Sequence, residues 1–436
     1  MSHRMTRRSF LMGTAVTFAG AAGGRRAAGE TAARRAGEKV RLGIIGVGGQ
    51  GEYNWGQLAD QEIVALCDVD LARVANAARR FPKAAVVQDF RRVIERNDID
   101  AVVVTTPDHW HAIPSVWAMQ TGKHVYCEKP LAHTVAECRV MAETARKHRI
   151  VTQMGTQIHA GSNYRRVVEL IRAGAIGPVR RVDVWCAGRP VSGHRAKQGT
   201  PPATLDYSLW IGPAPRRPYD PAVIPFHWRW WWDFGGGVLG DMGCHYMDLA
   251  HWALDLRHPT RVAATGTEFP DADNKVPVEM RVEYDYPARG AQPPVQLTWW
   301  HGTPGPRDEA GRVRRFSLGS AVLFHGDGGE LLADYGSHKL LPEQKFADYP
   351  PPAPTIPDSA GHHREWINAI QHGGPTTCNF DYSGALAEAV LLGNVAYRLG
   401  TAIEWDAPSL RVTNVSDAER LIHYDYRNGW RLPDQG

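Results

Sequence analysis

The sequence predicts a two-domain α/β protein: a doubly wound parallel sheet, then an α/β domain with a predominantly antiparallel open sheet. Three observations carry this. Between Lys39 and about residue 156, short continuous apolar runs alternate with segments whose apolar residues recur at helical spacing. The first of those runs ends in a glycine-rich hexapeptide, G-V-G-G-Q-G. Beyond residue 156 strand-like runs follow one another, separated by loops rich in proline and glycine.

Taken in order, K-V-R-L-G-I-I-G (Lys39 to Gly46) reads as a strand buried on both faces, and E-I-V-A-L-C-D-V (Glu62 to Val69) as a second. Leu71 to Phe81 has the apolar spacing of a helix. A-A-V-V-Q-D, then Asp100 to Pro107 and His124 to Lys129, continue the alternation. Asn163 to Gly177 reads as a helix closed by glycine. Strands are then predicted at Val179–Trp185, Arg261–Thr265, Val278–Tyr286, Val295–Trp300 and Ala321–Phe324, and Ala385 to Leu399 is read as an amphipathic helix. The expected division is 1–35 signal and linker, 36–156 first domain, 157–436 second domain.

A chain of 436 residues, 43% hydrophobic and 22% charged, can bury sizeable cores. Its formal net charge of +4 owes much to Arg4, Arg7, Arg8, Arg25, Arg26, Arg34 and Arg35; elsewhere bases and acids are interleaved, so no nucleic-acid partner is indicated. Arg7-Arg8-Ser9-Phe10-Leu11, followed by a mildly apolar run to Gly24, resembles a twin-arginine export signal, with Met12 where the usual basic residue would stand. The expectation is an exported, periplasmic protein without a membrane anchor once the signal is cleaved, and a cytoplasmic one if the signal does not function. The six cysteines form no C-x-x-C pair and read as buried small hydrophobes rather than disulfides.

The hexapeptide Gly46-Val47-Gly48-Gly49-Gln50-Gly51 directly follows a predicted buried strand. The first glycine permits a tight turn, the second lets backbone approach a pyrophosphate, and the last lets helix and strand pack closely. A second strand ends at Asp68, where a carboxylate would bind an adenosine ribose 2′-hydroxyl and repel a 2′-phosphate, favouring NAD over NADP. The plain alternative is a glycine-rich turn with a surface aspartate.

Two further stretches carry chemistry. H-V-Y-C-E-K-P puts Glu128 and Lys129 at the end of a parallel strand, where open α/β sheets bind ligands. G-D-M-G-C-H-Y-M-D puts Asp241 and His245 four apart, on one face of a helix. Oxidising an alcohol requires an acceptor for the hydroxyl proton, which an imidazole suits, and a cation to stabilise the developing alkoxide. Singly, each residue has a structural alternative: a solvated strand end, a cap, a core histidine. Asp241, His245, Asp248 and His251, His109 with His111, and His362 with His363 were weighed as metal ligands, but no familiar zinc spacing appears and no metal is expected.

T-P-D-H-W-H (Thr106 to His111), G-K-H-V-Y-C-E-K-P (Gly122 to Pro130) and G-D-M-G-C-H-Y-M-D (Gly240 to Asp248) closely resemble the glucose–fructose oxidoreductase / inositol dehydrogenase / rhizopine catabolism (Gfo/Idh/MocA) family. The resemblance spans nearly all of the chain after the signal. It implies a Rossmann domain and a C-terminal α/β domain whose open sheet often serves oligomerisation, hence a homo-oligomer, dimer or tetramer. It also implies NAD(P)-dependent action on the CH–OH groups of sugars or cyclitols. Lys129 would contact the reacting hydroxyl, His245 would be the acid/base and Asp241 its partner. Gly46, Gly48, Gly49, Gln50, Gly51, Asp68, Thr106, Pro107, His111, Glu128 and Lys129 would hold the cofactor. Another branch of the family cleaves glycosides through a transient NAD redox cycle, with a different Tyr/His arrangement in place of the D-x-x-x-H helix.

F-H-W-R-W-W-W-D-F (Phe226 to Phe234) precedes that helix; aromatic faces suit sugar C–H surfaces, although at least half of these rings should be core or interface. Gln157, His159, Arg229 and Trp230 are the expected substrate contacts, with Gln153, Thr156 and Asn163 as further candidates. Free NAD is scarce outside the cytoplasm. The expectation is therefore a sugar- or cyclitol-directed enzyme with one captive NAD recycled in each turnover. The alternatives are epimerisation or glycoside cleavage by transient oxidation, and a conventional sugar or inositol dehydrogenase.

Overall fold

The computed structural model describes residues 38–187, 191–302, 305–307, 311–314, 316–427 and 429–432. The export-signal expectation falls on residues outside these.

Six parallel strands form the first sheet: β1 (Arg41–Ile45), β2 (Glu62–Cys67), β3 (Ala85–Val87), β4 (Ala101–Val104), β5 (His124–Cys127) and β6 (Thr152–Met154). Their spatial order is β3-β2-β1-β4-β5-β6, the order of a dinucleotide-binding Rossmann sheet. β4 and β5 are buried at every residue, as their unbroken apolar runs require of a sheet covered on both faces. Strand order reverses between β1 and β4, so the cleft opens at their carboxyl ends. The predicted helix over Leu71–Phe81 is instead a 3₁₀ turn, Leu71–Val74, running into a short helix, Ala75–Arg80. Asp70 caps the turn by accepting from the Ala72 amide.

The second sheet has nine strands: β7 (Val179–Cys186), β8 (Arg261–Thr267), β9 (Glu279–Tyr286), β10 (Val295–His301), β11 (Ser320–Gly326), β12 (Gly329–Ala333), β13 (His338–Leu341), β14 (Ile403–Asp406) and β15 (Arg411–Val412). They lie in the order β13-β12-β11-β7-β10-β9-β8-β14-β15; β7 and β10 run parallel and the other neighbours antiparallel. β9 alternates half-buried and buried residues along its length, placing Met280, Val282, Tyr284 and Tyr286 on the core side.

The helix predicted as amphipathic is not. It runs Phe380–Leu399, and every residue from Ala385 to Ala396 is buried, Glu388 and Asn394 included. It lies between the domains, packed on the helix Val135–His148 of the first and on the helix Gly237–Leu254 and β8 of the second. Glu388 is satisfied there by Arg139, whose Nε and Nη2 both donate to it at 2.9 Å. Chain order and spatial order also part company near the C-terminus. Trp366 and Ile367, on the helix His362–His372, are buried in the core beneath β1 and β4. The Met154 amide at the end of β6 donates to the Cys378 carbonyl at 2.9 Å.

All six cysteines are buried and outside disulfides, as expected. Among the described residues no helix is long and apolar enough to cross a membrane.

Candidate active site

A cavity of about 510 Å³ lies at the carboxyl ends of β1, β2, β4 and β5 and reaches the start of the helix Gly237–Leu254. Its first wall is the glycine loop. Gly46 has φ +86°, and a Cβ there would stand 2.5 Å from the Thr105 carbonyl oxygen. A Cβ on Gly51 would stand 2.2 Å from the Gly46 oxygen. Gly46 therefore makes the turn, while Gly51 lets the helix Gln50–Gln57 pack on β1 and does not itself line the cavity. Gly48, Gly49 and Gln50 do line it.

At the end of β2, Asp68 accepts from the Val47 and Gly48 amides at 3.0 and 3.2 Å, which ties the carboxylate to the loop. Burial raises its pKa against those hydrogen bonds and against Arg73, 4.0 Å away. Arg73, which the sequence did not single out, lies over the loop: a Cβ on Gly48 would be 2.4 Å from its Nε. After β4, Thr106 and Pro107 line the cavity, and Thr106 Oγ1 is buried without a partner among the described residues. An orphaned hydroxyl, a glycine cradle and a ribose-reading carboxylate along one cleft fit a dinucleotide.

His111 lines the cleft, but both ring nitrogens face main-chain carbonyls: Nδ1 is 2.7 Å from Pro130 and Nε2 2.9 Å from Thr106. Burial pulls its pKa down to about 4, so at neutral pH the ring donates to one of them, the closer being Pro130. Its part is to hold the β4 loop against the turn after β5.

That turn carries Glu128 and Lys129. Glu128 Oε1 accepts from Gln157 Nε2 at 2.9 Å, Asn54 Nδ2 at 3.0 Å and Gln50 Nε2 at 3.3 Å. Burial raises the Glu128 pKa; the adjacent Lys129 and these amides oppose it. Lys129 Nζ donates to the Asp241 backbone oxygen and to Asp241 Oδ1, both at 2.7 Å. Arg229 Nε is 3.3 Å from the same Oδ1, and its guanidinium carbon lies 4.5 and 4.3 Å from the ring centroids of Phe226 and Trp228. One helical turn beyond Asp241, His245 lines the same cavity. Lys129, Asp241 and His245 are thus brought together by β5 and the helix Gly237–Leu254.

Asp108 was missed. It lines the cavity, 5% exposed, in the turn after β4. Burial, with a smaller push from Asp241, outweighs Arg229 and Lys129 and raises its pKa to about 8. Its signal was present in T-P-D-H-W-H, between residues that were assigned.

Among the expected substrate contacts, Gln157 and Arg229 line the cavity. His159 does not: it is fully buried behind the helix Gly237–Leu254, its Nδ1 2.9 Å from Asp248, its ring stacked on Trp252. Trp230, 1% exposed, belongs to the main core. Gln153 donates to the His362 carbonyl, Thr156 is buried outside the cavity, and Asn163 binds the Asp334–Ser337 loop. Of the weighed metal ligands, Asp248 serves His159 and Tyr382, and His251 Nε2 meets the Tyr286 hydroxyl at 2.9 Å.

Fold and cleft together define a protein with an NAD-binding Rossmann domain followed by an α/β domain. The chain belongs to the Gfo/Idh/MocA oxidoreductase family: the family's NAD-binding Rossmann fold matches residues 40–156 and its C-terminal alpha/beta domain matches residues 189–292. An alpha-N-acetylgalactosaminidase of Shewanella oneidensis is 35% identical over 152 residues, 32% of this chain and 33% of that one. A glycosyl hydrolase family 109 protein of another Shewanella is 34% identical over 152 residues, with the same coverage. These matches span about a third of the relatives' length. Among solved structures, the WlbA dehydrogenase from Bordetella pertussis, in complex with NADH and UDP-GlcNAcA, superposes with a TM-score of 0.59 at 16% identity over 85% of this chain and 99% of that one. An aldose-aldose oxidoreductase from Caulobacter crescentus, complexed with glycerol, gives 0.57 at 17% identity over 84% and 100%. At such identity the likeness is one of fold.

Proposed function

We propose that this protein oxidises a hydroxyl-bearing carbon of a sugar, sugar derivative or cyclitol by hydride transfer, with NAD held tightly and restored within each turnover by passing the hydride to the carbonyl of a second substrate. The observation that carries the reading is the Lys129–Asp241 pair at 2.7 Å in one cavity with His245. Gly46, Gly48, Gly49, Asp68 and Thr106 hold the dinucleotide; when bound, NAD supplies the hydride acceptor. The Lys129 ammonium stabilises the alkoxide that develops on the substrate, and His245 takes the hydroxyl proton. Asp241 fixes Lys129 through two acceptors on one residue. Arg229, in cation–π contact with Phe226 and Trp228, meets substrate hydroxyls. Export by the twin-arginine route and self-association through the open sheet belong to the same reading.

A second reading is redox-neutral glycoside cleavage, in which hydride returns to the sugar after elimination. It is favoured by the relatives just described, one of them an alpha-N-acetylgalactosaminidase.

The test is the nucleotide content of protein purified without added cofactor, released by denaturation. About one equivalent of NAD(H) per chain is expected. Empty protein that binds NAD weakly would replace this reading with a conventional dehydrogenase.

A further inference from the structure

The second domain sends a segment, Thr204–Trp210, to the first. Leu205, Leu209 and Trp210 line the same cleft as Val69, Asp70 and Phe90 at the ends of β2 and β3. In a sheet of this order those strands flank the adenosine half of a dinucleotide. The near end of the segment is stitched to β2. The Leu71 amide donates to the Thr204 carbonyl at 3.0 Å, and the Asp206 amide to the Val69 carbonyl at 2.9 Å. Gln88 Nε2 reaches both the Val69 and Thr204 carbonyls, at 3.1 and 3.2 Å.

The far end is moored to the turn after β4. Trp110 Nε1 lies 3.0 Å from both the Leu209 and Trp210 carbonyls, and His109 Nε2 lies 3.0 Å from Trp210 O. Burial lowers the His109 pKa to about 4, which leaves a neutral ring whose Nε2–H donates. The His-Trp of T-P-D-H-W-H is thereby accounted for: it anchors the other domain. Tyr207 stacks on Trp210, which meets Phe234 edge-on, so the segment has a small core of its own.

We propose that Thr204–Trp210 is a strap that retains the dinucleotide, closing the adenosine end of the cleft with Leu205, Leu209 and Trp210. This rests on NAD occupying the cleft and supplies a physical device for its retention. Release requires the two backbone bonds to β2 and the Gln88 bonds to break together, while the anchor at Trp110 holds the far end.

The strap can be locked and loosened in the full-length protein. Asp70 and Leu205 form an antiparallel bridge whose flanking bonds make them a non-hydrogen-bonded pair. Such pairs have Cα atoms about 4.5 Å apart, within disulfide range. In Asp70→Cys/Leu205→Cys, exchange of bound NAD for isotopically labelled NAD is followed by mass spectrometry of the released nucleotide. We expect exchange at least tenfold slower in the oxidised form than in the same protein reduced. Asp206→Pro removes the amide bonded to Val69 at a residue whose φ of −75° proline accepts, and is expected to exchange at least tenfold faster than wild type. Asp206→Asn keeps both amide and cap and should match wild type. Equal exchange in oxidised, reduced and Asp206→Pro proteins that still hold NAD tightly would overturn the strap and leave NAD retention standing. Protein that is empty and binds weakly in every form would overturn retention and strap together.

Discussion

Lys129→Met separates what the lysine does for the reaction from what it does for the fold. Its ammonium makes two 2.7 Å hydrogen bonds to Asp241, with side chains 12% and 5% exposed. Removing one partner of a buried pair costs about 3–5 kcal/mol, because a charge is left unmatched. Arg229 stays 3.3 Å from the same oxygen and offsets part of this, so we expect about 2 kcal/mol from urea unfolding of the variant. Turnover should fall about 10²- to 10⁴-fold, at about 1.4 kcal/mol of barrier per factor of ten, with nucleotide still bound. The double variant Lys129→Met/Asp241→Asn removes the carboxylate charge and leaves Arg229 an amide oxygen in its place: it should regain part of the stability and none of the turnover. Rates come from absorbance of reduced bound nucleotide in single turnovers against a panel of sugars and cyclitols. Turnover near that of wild type, in protein that retains NAD, would refute the assignment of Lys129; turnover restored in the double variant would mean the loss was structural.

Two further outcomes follow from the same cleft. The Asp108 carboxyl, raised to about 8 by burial, binds its proton more tightly folded than unfolded, so its contribution to stability is present below its unfolded pKa and lost as pH rises towards 8. Asp108→Asn should therefore match wild type near pH 4 in urea midpoint and exceed it increasingly up to about pH 8; a constant gap would contradict this. Arg229→Lys keeps the charge but not the planar guanidinium beside Phe226 and Trp228, and should lower kcat/KM about tenfold or more through KM, with nucleotide content unchanged.

The parts of the molecule legible in the sequence are those whose signal is local. Gly46, Gly48 and Gly51 follow a buried strand at fixed spacing, and Asp68 ends the next strand, so the cleft could be placed before any contact was known. Lys129, Asp241 and His245 line one cavity because one helix and one strand end carry them. What failed depended on who packs against whom. His159 and Trp230 have the residue types of a sugar site, yet a histidine satisfied by Asp248 and a tryptophan in the core look the same in one dimension. Ala385 to Leu399 reads as amphipathic, with polar Glu388 and Asn394 among its apolar residues; each turns out to have a buried partner, Arg139 and the Gly236 carbonyl. Strands β12 to β15 are too short to announce themselves, and nothing local in T-L-D-Y-S-L-W says that the strap crosses to the other domain.

The helix His362–His372 and the segment behind it have a bearing on how the protein is made. Trp366 and Ile367 complete the core beneath β1 and β4, Gln371 reaches the Glu38 carbonyl, and the Phe380 amide donates to Thr152 Oγ1. A ribosome delivers the sheet first and these residues hundreds of codons later. The nucleotide domain therefore waits, with apolar surface uncovered, until these residues have been made. A fragment that stops after β6 should be insoluble or bind nothing, and cofactor loading belongs to the finished chain rather than to the nascent one.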